Sequence, residues 1–385
     1  MSTRYYTHPI EQTKWEVPSG STTIFNWEYD EMRDRLINLY EKGKDKQWNA
    51  QHRLDWSIDV EPGSEENAPD FYIPIYGSDM WEALDEKGKA ELRHHMGSWL
   101  NSQFLHGEQG ALICAAKIVQ TVPDIDSKFY ASTQVIDEAR HVEMYSKYLR
   151  EKIGLAYPIN PHLKELLNQV ISDSRWDMTY LGMQVVIEGL ALAAFSLIRD
   201  YTEEPLGKAI NTYVMQDEAR HVAFGRLALR DFYPNVTEAE RNEREEFVVE
   251  ACYLMRDRLM AKEVWETLGF DVDKCMEYVE HSEMLGEFRK MLFSRIVPTV
   301  KDIGLWGPKI QAAYKDMGVY HYKDEDPDTL SAQDEALARK LDERRGLSEE
   351  SEAAAKVAGV DQRRAIEVQQ TIESGRDEEP EPVAR

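Results

Sequence analysis

The chain reads as an all-α protein built around a four-helix bundle, and three observations predict that class. The segment DEARHV occurs twice, at 137–142 and 217–222. A lone glutamate precedes the glutamate of each copy by thirty residues, Glu108 before Glu138 and Glu188 before Glu218. Around these four positions, apolar residues recur at helical spacing over long stretches closed by proline or glycine. An internal duplication of a helix pair, its halves offset by eighty residues, accounts for all three.

The elements follow in order. Residues 1–80 form an N-terminal arm in which 24–43 is predicted helical and 47–56 is polar and tryptophan-bearing. The stretch 62–76 carries Pro, Gly and Asn and reads as loop. Trp48, Trp56 and Trp81 are costly to expose, so the arm is expected to pack on the bundle. The helical domain spans 81–320. Its first long helix is predicted over 86–122, stopping before Pro123, with Phe104, Leu105, Glu108, Leu112 and Ala115 in one stripe. The second covers 126–152, stopping before Gly154, with Ala131, Val135, Glu138, His141, Tyr145 and Leu149 aligned. A short helix over 162–172 bridges the halves. The third runs over 173–201 through Leu181, Val185, Glu188, Leu192 and Phe195. The fourth runs over 205–232 through Ile210, Val214, Glu218, His221, Gly225 and Leu229. Two further helices, 237–268 and 271–296, serve as scaffold, with Pro298 and Gly304 as breaks. From 321 onward the chain turns into an acidic tail, 321–385, rich in Asp, Glu, Ala, Arg and Gln, and expected to be disordered or loosely helical.

Composition excludes several classes. A net charge of −25 over 385 residues argues against nucleic acid as a partner. Cys114, Cys252 and Cys275 form neither a disulfide framework nor a zinc or iron–sulfur pattern, which suits a reducing cytoplasm. No unbroken run of eighteen apolar residues occurs, and the N-terminus shows no signal-peptide pattern. A cytoplasmic protein without a membrane span is therefore expected.

The chemistry lies in the stripes. Residues i and i+3 share a helix face, so each Glu-x-x-His aims a carboxylate and an imidazole at one spot. A single Glu-x-x-His is usually a solvated charge pattern. Here it occurs twice, inside the apolar stripe rather than opposite it. Buried carboxylates without partners are costly, and four that converge repel unless cations lie between them. Glu108, Glu138, His141, Glu188, Glu218 and His221 thus make the ligand set of a carboxylate-bridged two-metal centre. Carboxylate and imidazole donors suit iron or manganese. Glu108 and Glu188 are expected to hold and bridge the metals beside the two Glu-His pairs, and to carry the catalysis. Asp137 and Asp217 are candidates to accept the free N–H of a metal-bound histidine; ion pairs with Arg140 and Arg220 are the alternative. Tyr145, one turn past His141, is a candidate redox tyrosine or a packed core residue. His106 faces away from Glu108, His94 is nearly four turns distant, and Cys114 lies off the stripe. Ala191, Leu192 and Phe195 suggest an apolar pocket wall or, as readily, ordinary bundle core.

On Glu108, Glu138-Ala-Arg-His141, Glu188 and Glu218-Ala-Arg-His221, the chain resembles the ferritin-like di-iron oxidase and oxygenase superfamily over residues 86–233. The resemblance implies a ferritin-like bundle with those six residues as ligands of two iron ions, iron and manganese together being an option. Within the superfamily the layout is most similar to the p-aminobenzoate N-oxygenase group. That group adds a histidine four residues before the last-helix glutamate, where this chain has Val214. The threonine that multicomponent hydroxylases and desaturases place one turn past the third-helix glutamate is replaced by Ala191 and Leu192.

The expected activity is O₂-dependent oxidation of a small or medium organic molecule, with oxygen inserted at a C–H bond or an amine nitrogen. Electrons would come from a separate reductase or ferredoxin, since no flavin, nicotinamide or iron–sulfur motif occurs. A homodimer is a superfamily expectation. The alternatives are a radical-generating protein like the ribonucleotide reductase small subunit, and an iron-handling ferroxidase bundle.

Overall fold

The computed structural model describes residues 6–8, 13–29 and 33–344. The chain divides into two compact units, Met1–Asp334 and Glu335–Arg385. Among the described residues every regular element is helical, and Tyr6 forms one isolated bridge with Ala156. The arm contributes α1 (Asp34–Asp45), α2 (Ala50–Arg53) and α3 (Asp79–Glu82). Then come α4 (Glu86–Thr121), α5 (Ile125–Tyr148), α6 (Pro161–Ser172), α7 (Trp176–Tyr180), α8 (Glu188–Tyr201) and α9 (Pro205–Phe232). The scaffold comprises α10 (Glu238–Asp257), α11 (Lys262–Leu268), α12 (Val272–His281), α13 (Glu283–Met291), α14 (Ile296–Asp302) and α15 (Pro308–Asp316). The last described helix is α16 (Pro327–Arg344).

Local chemistry sets the ends of the bundle helices. The Asp85 carboxylate caps α4 by accepting from the Gly88 amide, and Asp124 does the same for Ser127 at α5. Pro161 and Pro205 occupy the first turns of α6 and α9, where a missing amide costs nothing. Thr237 and Glu240 close a reciprocal capping box on α10. Gly154, at φ 73°, ends the second long helix after a wide turn over Leu149–Ile153.

α4 lies against α5, α5 against α9, and α9 against α8; the wide-turn segment Leu181–Ile187, which joins α7 to α8, returns to α4. This closes the bundle. α1 packs across α5 and α9; the side chains of Trp48 and Trp81 are buried and that of Trp56 is half-buried. Trp176–Tyr201 is long and apolar enough to cross a membrane. Of its apolar window 78% is buried inside the protein, so core packing accounts for its composition.

Several boundaries differ from the sequence reading. The helix predicted over 24–43 begins only at Asp34; residues 13–29 run as an irregular strap held by bonds such as Ile24 N–H to the Gln120 carbonyl. The helix predicted over 237–268 breaks at Arg258–Met260, and Ala261 adopts φ 51° before α11 starts. The one predicted over 271–296 is α12 and α13, separated at Ser282, whose hydroxyl caps α13. Pro298 does not break a helix: it sits in the first turn of α14, where proline is tolerated. Part of the predicted acidic tail is α16, and residues 345–385 lie outside the described residues.

Candidate metal centre

The four bundle helices bring the six predicted side chains to one place. α4 supplies Glu108, α5 Glu138 and His141, α8 Glu188, and α9 Glu218 and His221. None is more than 5% exposed. They form two clusters, Glu108–Glu138–His141–Glu218 and Glu138–Glu188–Glu218–His221, each offering ligand atoms within 4.8 Å of one another. Glu138 and Glu218 belong to both clusters; Glu108 and Glu188 belong to one each. The sharing therefore differs from the sequence reading, which gave the bridging role to Glu108 and Glu188. The reason is geometric: α5 and α9 face each other across the bundle, so the glutamates of the two Glu-x-x-His pairs occupy the middle. Glu108 and Glu188 close the two ends.

Both histidines present Nδ1 to the carboxylates. His141 Nδ1 lies 3.2 Å from Glu108, 3.4 Å from Glu138 and 3.2 Å from Glu218. His221 Nδ1 lies 3.1 Å from Glu138 and 3.4 Å from Glu218. The far nitrogens are held by the two predicted aspartates, in a crossed arrangement. His141 Nε2 donates to Asp217 at 3.1 Å, and His221 Nε2 donates to Asp137 at 3.2 Å. Each Asp-Glu-Ala-Arg-His copy thus orients the histidine of the other. The alternative ion pairs with Arg140 and Arg220 are present as well, and they are buried rather than on the surface. Arg140 bonds Asp137 and, at 2.9 Å, Asp217; Arg220 bonds Asp217 and approaches Asp137 at 3.5 Å.

This pattern is a test of fit for metal. With Nε2–H committed to an aspartate, Nδ1 keeps a lone pair, and that lone pair faces carboxylate oxygens. Such a contact is repulsive unless a proton or a metal cation lies between. The Glu138 Oε2, Glu188 Oε2 and both Glu218 oxygens are buried without a hydrogen-bond partner, as is His221 Nδ1. Two divalent cations would balance the four glutamates, while Arg140 and Arg220 balance Asp137 and Asp217. Without metal, burial and then repulsion from Glu218 push the carboxyls of Glu108 and Glu188 well above the usual range. Burial works against the charged imidazoles, yet Glu108 and the bond to Asp217 hold His141 well above its ordinary value, and Glu138 and Glu218 do the same for His221. Asp217 is also penalised by burial, but Arg220 and Arg140 outweigh that and keep its carboxylate well below the usual range. The residues present fit a two-metal site.

Further residues at the site carry no mark in the repeat. Gln134 donates from its amide nitrogen to Glu138 at 3.0 Å and Glu188 at 2.9 Å. Its counterpart in the second copy is Val214, so the histidine position of the N-oxygenase pattern is apolar on α9 and an amide on α5. From the arm, Gln47 donates to Asp137 at 2.7 Å and Trp48 to Asp217 at 2.8 Å. Tyr145 is fully buried; it packs against Phe104 and Phe195, and its hydroxyl donates to Asn211 at 3.4 Å. His106 bonds the Tyr157 carbonyl and His94 the Ile153 carbonyl, away from the cluster, and Cys114 is buried core. A small cavity opens on the Glu108, Glu188 and Glu218 side, walled by Phe104, Ile187, Ala191 and Phe195, with Arg258 also on its lining. The predicted apolar wall is present there, except that Leu192 is not part of it.

A closed helical bundle with a buried, charge-matched carboxylate–histidine cluster and an adjoining cavity defines a di-iron oxidoreductase of the ferritin-like class. More particularly, the chain belongs to the p-aminobenzoate N-oxygenase AurF family, whose sequence profile matches residues 29–304, more than half of its length. Comparison with curated proteins returns no match. Similar solved structures include a variant of an R2-like ligand-binding oxidase with an anaerobically reconstituted Mn/Fe cofactor. It is 17% identical, covers 72% of this chain and 97% of its own, and has a TM-score of 0.45. A second such variant is 19% identical over 72% and 96%, with a TM-score of 0.43.

Proposed function

We propose that the protein is a monooxygenase of the N-oxygenase type, acting on a small arylamine, with electrons delivered by a separate ferredoxin or reductase. The observation that carries this reading is the pair of carboxylate–histidine clusters sharing Glu138 and Glu218 beside a cavity of largely apolar wall. Glu108, Glu138, His141 and Glu218 would hold one ion, and Glu138, Glu188, Glu218 and His221 the other. The bound pair supplies the redox equivalents for O₂ that no side chain can. The chain's own contribution is position and exclusion of water. Asp137 and Asp217 fix the imidazoles through Nε2, and Gln134 steadies Glu138 and Glu188. Phe104, Ile187, Ala191 and Phe195 keep the cavity dry. The overall reaction balances as ArNH₂ + O₂ + 2e⁻ + 2H⁺ → ArNHOH + H₂O. Membership of the N-oxygenase family favours oxygen insertion over the radical-generating alternative.

The test is reconstitution with Fe(II), followed by elemental analysis and turnover of p-aminobenzoate and related arylamines in ¹⁸O₂ with a ferredoxin–reductase pair. Metal for both clusters is expected in each chain. One labelled oxygen atom should appear in the organic product. Oxygen uptake with no organic product from any arylamine would sink the oxygenase reading and leave an iron-handling bundle.

A further inference from the structure

Arg258 is a buried cation that pairs with no carboxylate among the described residues. It lies in the short turn Arg258–Met260 that interrupts the predicted 237–268 helix, and it is 4% exposed. Among the described residues its polar contact is a weak one, from Nη1 to the Met255 sulfur at 3.7 Å, and its Nε has no partner. Other buried arginines of this protein are treated differently. Arg93, Arg140, Arg199, Arg220, Arg226 and Arg244 each sit on a carboxylate. Burial alone pulls the Arg258 guanidinium down to about 10, so it stays charged at neutral pH with no anion among the described residues to answer it. A charge kept in this state lowers stability, and packing does not require it.

Arg258 lines the same cavity as Glu108, Glu188 and Glu218. Its neighbour Leu259 lines a second, apolar cavity of about 140 Å³, walled in part by Trp99, Leu100, Ile198 and Tyr201. Residues of α4 and α8 line both cavities. We propose that Arg258 is a specificity-determining residue that anchors the carboxylate of an organic-acid substrate, so that the substrate's reactive end faces the Glu108–Glu188 side. The guanidinium fork matches a carboxylate in two parallel hydrogen bonds, and one positive charge answers one negative. A dianion would carry excess negative charge into a cavity already bordered by three glutamates. The inference rests on the oxygenase reading for the identity of the ligand as substrate; the anion site itself does not.

The experiment is calorimetric titration of the iron-loaded protein with p-aminobenzoate, benzoate and octanoate, each paired with its neutral amide. The wild type is expected to bind at least one carboxylate about tenfold or more tighter than its amide, the scale of a desolvated charge-assisted pair. Arg258→Met should erase that preference while leaving amide binding and metal content unchanged, and Arg258→Lys should keep part of it. The ligand-free Met variant should melt at the same temperature as wild type or higher, because an unanswered buried charge is gone. The proposal is overturned if no carboxylate is preferred in the wild type, if the preference survives in Arg258→Met, or if that variant melts lower, which marks a structural arginine. Calorimetry needs no turnover. Selective carboxylate binding without oxygen insertion would refute the oxygenase reading and leave the anion site standing.

Discussion

At the residue scale, the crossed pairing of Asp137 with His221 and Asp217 with His141 ties the two halves of the repeat together. Each aspartate is fully buried and also carries an arginine, so its charge is held where the imidazole needs it. Asp217→Asn should loosen the cluster around His141, and Asp137→Asn the cluster around His221, although each aspartate neighbours the opposite motif in sequence. A loss of about 10–100-fold in affinity for one ion of the pair is expected in each case. Competition with a chelator, read by elemental analysis, checks it: the two variants should release different ions first, and equal release from both would contradict the crossed assignment. The six cluster residues and both aspartates were legible in the sequence because the repeat prints them twice in identical words. Gln47, Trp48 and Arg258 were not, since each reaches the site from outside the repeat and nothing local distinguishes it from an ordinary polar, aromatic or basic residue. Which carboxylates belong to both clusters was not legible for a related reason: spacing says which residues share a face, but which carboxylates lie midway depends on how helices are paired across the bundle.

At the scale of elements, the long helices with caps and proline stops were readable almost to the residue, α9 above all. The failures lie where tertiary packing overrides local signals. Ala261 takes a left-handed conformation without glycine or proline to announce it, and that break separates α10 from α11 beside Arg258. The wide turn over Leu181–Ile187 is invisible because the whole stretch is buried and, Gln184 apart, apolar, so periodicity carries no phase. Here the backbones approach closely. A methyl group on Gly225 of α9 would meet Gln184 Cβ at 2.5 Å, an atom fixed to the backbone rather than the end of a flexible side chain. Gly225→Ala should therefore push α9 from the Leu181–Ile187 segment and destabilise the fold by about 1–3 kcal/mol, the cost of overpacking a dense core. Urea denaturation of the metal-free protein would show it as a lower midpoint at unchanged slope. An unaltered midpoint would mean that this contact has slack.

For the whole molecule, the bundle is stabilised at its periphery and loaded with repulsion at its centre. Apolar side chains fill the layers around the site, while four glutamates meet in the middle with several oxygens unpartnered. Such a core trades stability for a binding site, and metal reverses the sign of the trade. Ions that bind only the folded state contribute about 2.7 kcal/mol each when present at 100 times their dissociation constant. The same residues should then act oppositely in the two states. Glu188 shows this best, because burial and the neighbouring charges of Glu218 and Glu138 already hold its carboxyl far above the ordinary range. Replacing it by a neutral amide of the same shape removes the cost of burying an ionisable carboxyl in the metal-free protein and a ligand in the loaded one. Glu188→Gln is expected to melt at or above wild type after exhaustive chelation, and below wild type when both are saturated with Fe(II) under anaerobic conditions. Differential scanning calorimetry of the four samples decides it. If the substitution lowers the melting temperature in both states alike, Glu188 serves packing rather than metal, and the central cluster is not the strained, cation-demanding site its geometry describes.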